Sequence, residues 1–140
     1  MKIKRLEIGS FGKLKNYFLD LNDGFQILYG ENEDGKSTIM NFIYLMFYGN
    51  AKVKTIHGVV NARKNYTPWD GSKMQGAVVF EFGDTEYRLE KIFGKSKATD
   101  IVTLLNNATG EKESINKGED VGKIFFDMTD SAFEKSVFIG

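Results

Sequence analysis

Gly30-Glu31-Asn32-Glu33-Asp34-Gly35-Lys36-Ser37-Thr38 is a complete G-x-x-x-x-G-K-[ST] pattern, and its flanks have the order such a loop requires. The apolar run Phe25-Gln26-Ile27-Leu28-Tyr29 leads into it as a strand. Beyond it, Ile39, Phe42, Ile43, Met46 and Phe47 recur at i, i+3, i+4, i+7 and i+8, the spacing of one buried helix face. Gly49 stands where a helix C-terminus is capped. The competing reading, a Gly-rich turn before an ordinary helix, does not require strand, loop, Lys-Ser-Thr and helix in this register.

Each residue type in the loop suits an anion. Gly30 and Gly35 permit backbone angles and a close approach that a Cβ would obstruct, so successive N–H groups converge on phosphate oxygens. A helix beginning near Lys36 adds the positive end of its dipole. Lys36 reaches the β- and γ-phosphates as a point charge, and the Ser37 hydroxyl is the candidate ligand of a bridging Mg2+. Asn32, Glu33, Asp34 and Thr38 complete the candidate nucleotide-binding set. The carboxylates of Glu31, Glu33 and Asp34 are compatible with it if they point outward while the main chain faces the phosphates.

With 140 residues, 41% of them hydrophobic and 14% aromatic, the chain has the size and apolar content of one packed domain. Nineteen basic and nineteen acidic side chains cancel, so any contact with nucleic acid must be local. The absence of cysteine excludes a disulfide framework and thiol chemistry. Charged and apolar residues alternate from Met1 to Ile8, unlike a signal peptide, and no apolar run is long enough to span a bilayer. The expectation is a cytoplasmic chain, in which the Asn-x-Thr triplets at Asn65 and Asn107 are chance matches.

In chain order, Ile3, Leu6 and Ile8 predict a strand over Lys2–Ile8, ended by a turn at Gly9-Ser10-Phe11-Gly12. Phe18, Leu19 and Leu21 predict an antiparallel partner, and Asn22-Asp23-Gly24 turns into the strand before the loop. Val78, Phe80 and Phe82, then Tyr87, Leu89 and Phe93, alternate about Gly83-Asp84 as a hairpin whose return strand Lys91 interrupts. Ile101–Leu105 is a further strand, turned at Asn106–Gly110, with a return over Glu111–Ile115. Val121, Ile124, Phe125 and Met128 fit a short amphipathic helix, and Ser131 with Glu134 fits the capping box of another. The fold class expected is α/β: a mixed sheet with an N-terminal antiparallel subsheet, packed on the helix that follows the loop.

Taken together, the short strand, the Ser10-Phe11-Gly12 turn, the second strand, the Gly30–Thr38 loop and a helix ending in Tyr48-Gly49 resemble the N-terminal head segment of SMC/SbcC-class, ABC-type ATPases. Within that class the chain is most similar to bacterial AAA-family, SbcC-like ATPases, whose loop commonly carries Asn-Glu as at Asn32-Glu33. The resemblance continues through Tyr66-Thr67-Pro68-Trp69-Asp70-Gly71, the Val78–Phe93 hairpin and the closing Phe133–Gly140. It implies a P-loop NTPase, an ABC-type half-head, using ATP and Mg2+. It also implies that basic residues after the loop approach the nucleotide, which makes Arg63 and Lys64 candidates for a γ-phosphate or DNA-linked contact, with solvated surface charge as the alternative. His57, the single histidine, has no cluster around it in sequence and reads as a surface or structural residue. Trp69 is expected to pack its loop against the sheet instead of stacking on a base.

Phosphate binding is not hydrolysis, which also needs a carboxylate for Mg2+ and a group that orients water. Val78-Val79-Phe80-Glu81 and Ile124-Phe125-Phe126-Asp127 mimic the apolar-strand-then-acid pattern, but neither ends in paired carboxylates and no Ser-Gly-Gly signature occurs. No complete catalytic set is present. In the resembled class the strand ending at Gly140 leads into a Q-loop, so the expectation is that 1–140 is the N-terminal lobe of a head, ending just before it. The resemblance then implies a coiled coil and a C-terminal half of the same polypeptide supplying the remaining catalytic groups, a head-to-head homodimer closing over ATP, a nuclease subunit and DNA as partners, and no membrane. Two other readings stay open: a self-contained small P-loop GTPase or kinase, for which Asn116-Lys117-Gly118-Glu119 is an imperfect guanine-reading motif with no Asp-x-x-Gly switch, and a non-catalytic module in which ATP regulates assembly.

Overall fold

Alternation of charged and apolar residues from Lys2 onward produces a strand longer than its pattern suggests. The computed structural model describes residues 2–21, 33–49, 52–55, 58–61, 64, 66–115 and 119–126. In it β1 (Lys2–Phe11) turns at Gly12-Lys13 into β2 (Leu14–Asp20), with Gly12 at φ +57°. The turn predicted at Gly9–Gly12 is therefore three residues too early. Gly9 is a close approach within a paired strand, since a Cβ there would lie 2.9 Å from Gln75 Cγ. Ser10 and Phe11 are both buried. A shift in the β1–β5 register between Ile3 and Arg5 lets Ile3 and Leu6, three positions apart, both turn inward.

The loop-bearing helix α1 (Glu33–Phe47) is followed by the small hairpin β3 (Lys52–Thr55) and β4 (Gly58–Asn61). Next come β5 (Gln75–Phe82) and β6 (Thr85–Ile92), joined through Gly83 at φ +63°, then β7 (Ile101–Asn106), the short β8 (Lys112–Glu113) and helix α2 (Val121–Phe126). The larger sheet runs β2-β1-β5-β6-β7-β8. Among the described residues every pairing is antiparallel, so the α/β class holds while the parallel part of the expected mixed sheet is not among them. The strand predicted at Phe25–Tyr29 and the segment from Met128 to Gly140 lie outside the described residues, as does Asn116–Gly118.

One face of this sheet carries Leu6, Ile8, Val78, Phe80 and Leu89 onto α1. Phe47 meets Phe80 edge-on at 5.1 Å, and Phe80 in turn meets Phe125 of α2 at 5.5 Å. The predicted helix face was Ile39, Phe42, Ile43, Met46 and Phe47; in fact every residue from Phe42 to Tyr48 is buried, so the second half of α1 is enclosed on all sides. Val121 of α2 is buried as predicted, but Ile124 is exposed.

The opposite face carries charge. Arg88 donates from Nη1 and Nη2 to the two carboxylate oxygens of Glu7, at 2.5 and 3.2 Å, and Arg5 Nε lies 3.4 Å from Glu7 Oε2. The Arg88 hydrogen bonds, aided by Arg5, hold the Glu7 carboxyl below its ordinary range against the opposing effect of burial. A carboxyl whose pKa is lower folded than unfolded stabilises the fold above its unfolded value and loses that contribution as pH falls through its folded value. Glu7→Gln is thus expected to cost about 1 kcal/mol at neutral pH. Variant and parent should converge as pH falls below the ordinary carboxyl range and on through the lowered folded value of Glu7, as read by urea midpoints across an acid series.

Candidate nucleotide-binding site

Helix α1 starts at Glu33, earlier than the start near Lys36 that the loop pattern predicts, so Gly35, Lys36 and Ser37 stand in helical backbone. Acidic residues at positions 33 and 34 favour this extension, because a helix N-terminus carries partial positive charge. The amides of a first turn have no intrahelical acceptor and are the groups an anion would take. Gly30, Glu31 and Asn32 lie outside the described residues, as do the side chains of Glu33, Asp34, Lys36 and Ser37. Thr38 is half-buried on the helix.

The middle of α1 is braced by a junction that the sequence did not advertise. Tyr66 stacks on Phe11, ring centroids 4.8 Å apart and planes at 15°, and its carbonyl accepts a 2.6 Å hydrogen bond from the Gly12 amide. Its hydroxyl accepts from Asn41 Nδ2 on α1 at 3.2 Å. A Cβ on Gly12 would lie 3.1 Å from the Tyr66 ring and 3.9 Å from Thr38 Cγ2, so the β1–β2 turn, the segment from Tyr66 and the end of the phosphate-loop motif meet at one place. An aromatic three residues before a Trp, in a stretch with a proline, was the available signal; what it could not give was the partner.

The segment then proceeds with period two. Tyr66 and Pro68 turn inward while Thr67 and Trp69 turn out, and Trp69 is 99% exposed. This corrects the expectation that Trp69 packs the loop on the sheet: Tyr66, stacked on Phe11 of β1, does that, and Pro68, next to Trp69 in sequence, is buried. Asp70 Oδ1 accepts from the amide and hydroxyl of Ser72, Lys15 forms an ion pair with Asp70, and the Ser72 and Ser10 hydroxyls are 3.1 Å apart. Lys64 is exposed, and Arg63 and His57 lie outside the described residues.

The far end of α1 is held as firmly. Lys91, the residue that broke the strand pattern, is buried and donates from Nζ to the carbonyls of Leu45 at 2.9 Å and Met46 at 3.2 Å. Asp120 accepts from the Gly49 amide at 3.0 Å and pairs with Lys97 at 2.9 Å. Glu81, which closes one of the two acid-after-strand mimics, sits on a strand paired on both sides and lies 3.4 Å from Lys4, as a hairpin reading requires. Among the described residues no cluster of three or more His, Cys, Asp or Glu could hold a metal, and no helix is long and apolar enough to cross a membrane.

Residues 1–64, which include the whole phosphate-loop motif, match a family described as AAA domain. Over 142 aligned residues, 99% of this chain, the sequence is 30% identical to YhaN, an uncharacterized protein of Bacillus subtilis (strain 168), and spans 13% of that protein. It is also 35% identical over 51 residues, 36% of this chain, to the DNA replication and repair protein RecF of Shewanella loihica, of which it spans 14%. A second RecF, from Shewanella frigidimarina, matches to the same extent. The chain thus corresponds to a small share of the relatives it matches, and these matches support a nucleotide-binding ATPase.

Proposed function

We propose that this chain is the ATP-binding N-terminal part of an SbcC/SMC-like ATPase acting in DNA repair or DNA metabolism. The observation that carries the reading is the Gly30–Thr38 motif at the start of a helix that is enclosed along its second half and anchored at its middle and its C-terminal end. The donor set fits a magnesium-bound triphosphate: main-chain amides of a first turn and the Lys36 ammonium for the phosphate oxygens, and the Ser37 hydroxyl for the ion. Bound ATP would supply the phosphoanhydride whose cleavage drives a change of shape. This chain's own part is to orient the phosphates, with Asn32, Glu33, Asp34 and Thr38 around them and Arg63 and Lys64 approaching the γ-phosphate. The likeness to RecF supports a role on DNA. On this reading the groups that position water come from the C-terminal half of the same polypeptide, two heads close over ATP, and a nuclease subunit acts on the DNA so held.

The test is equilibrium binding of a fluorescent ATP analogue with Mg2+, competed by ATP and by GTP. Binding is expected to favour ATP and to weaken at least about tenfold in Lys36→Ala, a loss of roughly 1.4 kcal/mol or more. Hydrolysis by the 140-residue chain alone should stay near background. Preference for GTP, or no occupancy at millimolar nucleotide, would overturn the proposal.

A further inference from the structure

Trp69 is the single tryptophan of the chain and stands 99% exposed on a turn that is itself braced. Large apolar side chains do reach the surface, but a fully exposed indole on a fixed mount offers a flat π-face with no partner of its own. The mount consists of the Tyr66 stack on Phe11, the Gly12 to Tyr66 hydrogen bond, the Asp70–Ser72 turn and the Ser72–Ser10 contact. Its surroundings are basic. Lys13 occupies the turn beside Gly12, Lys15 reaches across to Asp70, and Lys73 follows Ser72; all three are exposed. Asp70, the acid that follows Trp69 in sequence, is paired with Lys15. In a chain with as many acidic as basic side chains, this local excess of positive charge is not a reflection of overall composition.

We propose that Trp69 with Lys13 and Lys73 is a contact site for single-stranded nucleic acid, the indole stacking on a base and the two ammonium groups taking backbone phosphates while Lys15 stays on Asp70. An aromatic platform flanked by cations is the combination that grips single strands without reading their sequence. A protein partner would be better served by further exposed apolar side chains beside the indole, whereas the exposed residues flanking it in sequence are Thr67, Asp70, Gly71, Ser72 and Lys73, with Pro68 buried. The proposal rests on the DNA side of the function proposed above, but it does not involve the phosphate loop, so its failure would leave ATP binding standing.

Because Trp69 is the only tryptophan, its own emission reports the contact. Titrating the full chain with an oligothymidylate of about 15 nucleotides should quench that emission. Affinity should fall with salt at a log–log slope of about −1.4, the value for two phosphates on a single strand. With labelled oligonucleotide and anisotropy detection, Trp69→Ala should bind roughly 5- to 150-fold more weakly, the equivalent of losing one base–aromatic stack. Trp69→Phe should recover most of the loss, and Trp69→Ala should keep the parent's melting temperature and ATP affinity. Unquenched emission, a Trp69→Ala variant that binds as the parent does, or duplex DNA competing as well as single strand would each overturn the proposal. Absence of oligonucleotide binding at about 50 mM salt would do the same and leave the indole to a protein contact.

Discussion

Gly76→Val is expected to destabilise the chain by roughly 3 kcal/mol or more, the upper part of the range for overpacking a filled core. Gly76 lies on β5 opposite Ile8 of β1, on the face that receives α1. A Cβ at this position would come within 2.4 and 2.5 Å of two ring carbons of Phe42 and 2.7 Å of the Glu7 carbonyl oxygen. Neither neighbour has room to retreat. Phe42 is fully buried and held edge-on by Phe11 at 5.3 Å, and the Glu7 oxygen belongs to a strand paired on both sides. Accommodation must therefore push α1 off the sheet, and the cost appears as a lower urea midpoint at unchanged m-value. Gly83→Ala is the control for the other reason a chain needs glycine. Nothing lies within 4 Å of a Cβ there, and the residue sits at φ +63°. Its cost should be only the backbone term of about 1 kcal/mol. If Gly76→Val unfolded at the parent's midpoint, the helix would not pack on β5 as described.

That contrast marks what could be read in advance. The hairpin of β5 and β6 was legible because both of its signals are local: alternation of Val78 and Phe80 against Tyr87 and Leu89, and Gly83-Asp84 between them. The depth to which α1 is buried was not legible. A helical period reports one apolar face, and Tyr44 and Tyr48, whose rings lie 5.9 Å apart, carry polar tips that leave their burial open until their neighbours are known. The β1 turn was misplaced because glycine serves both tight turns and close approaches, and only Gln75, distant in sequence, distinguishes the two at Gly9. For the site, the phosphate-loop motif was visible in sequence as a spacing of residue types, while the Tyr66 junction that braces α1 depends on three segments meeting. Such a junction leaves no periodic trace. Trp69 shows the same limit from the other side: its ring suits core and surface equally, and the inward positions went to Tyr66 and Pro68.

Lys91→Met is expected to destabilise the fold by about 2 kcal/mol, and Lys91→Glu by more, which makes an apparent interruption of the β6 pattern a requirement of α1. Two effects oppose each other at this site. Burying an ammonium is costly, and a thioether of similar length would remove that cost. Against it stand the carbonyls of Leu45 and Met46, in the last turn of α1, where a helix has no amides left to offer them. Both carbonyls would lose a charged donor, and the negative end of the helix dipole would lose its cation. Unpaired buried carbonyls cost about 1–3 kcal/mol, and the interaction of a cation with a partly buried helix terminus is worth up to about 2 kcal/mol. Their sum outweighs the relief of desolvation because Lys91 lies only 5.2 Å from the Phe93 ring, whose face also favours the charge. Lys91→Glu would set a carboxylate against two carbonyl oxygens and should not fold stably. Urea midpoints of the Met variant, with amide exchange across residues 45–49, check the claim: the midpoint should fall and exchange in that last turn should rise. A Met variant as stable as the parent would mean that desolvation dominates and that the end of α1 is held by Asp120 and its contact to Gly49 instead. The distinction bears on the phosphate loop, because Lys91 adds a direct tie from β6 to the last turn of α1 beyond the Asn41–Tyr66 and Phe47–Phe80 contacts, and the more ties the helix has to the sheet the more firmly its first turn is placed.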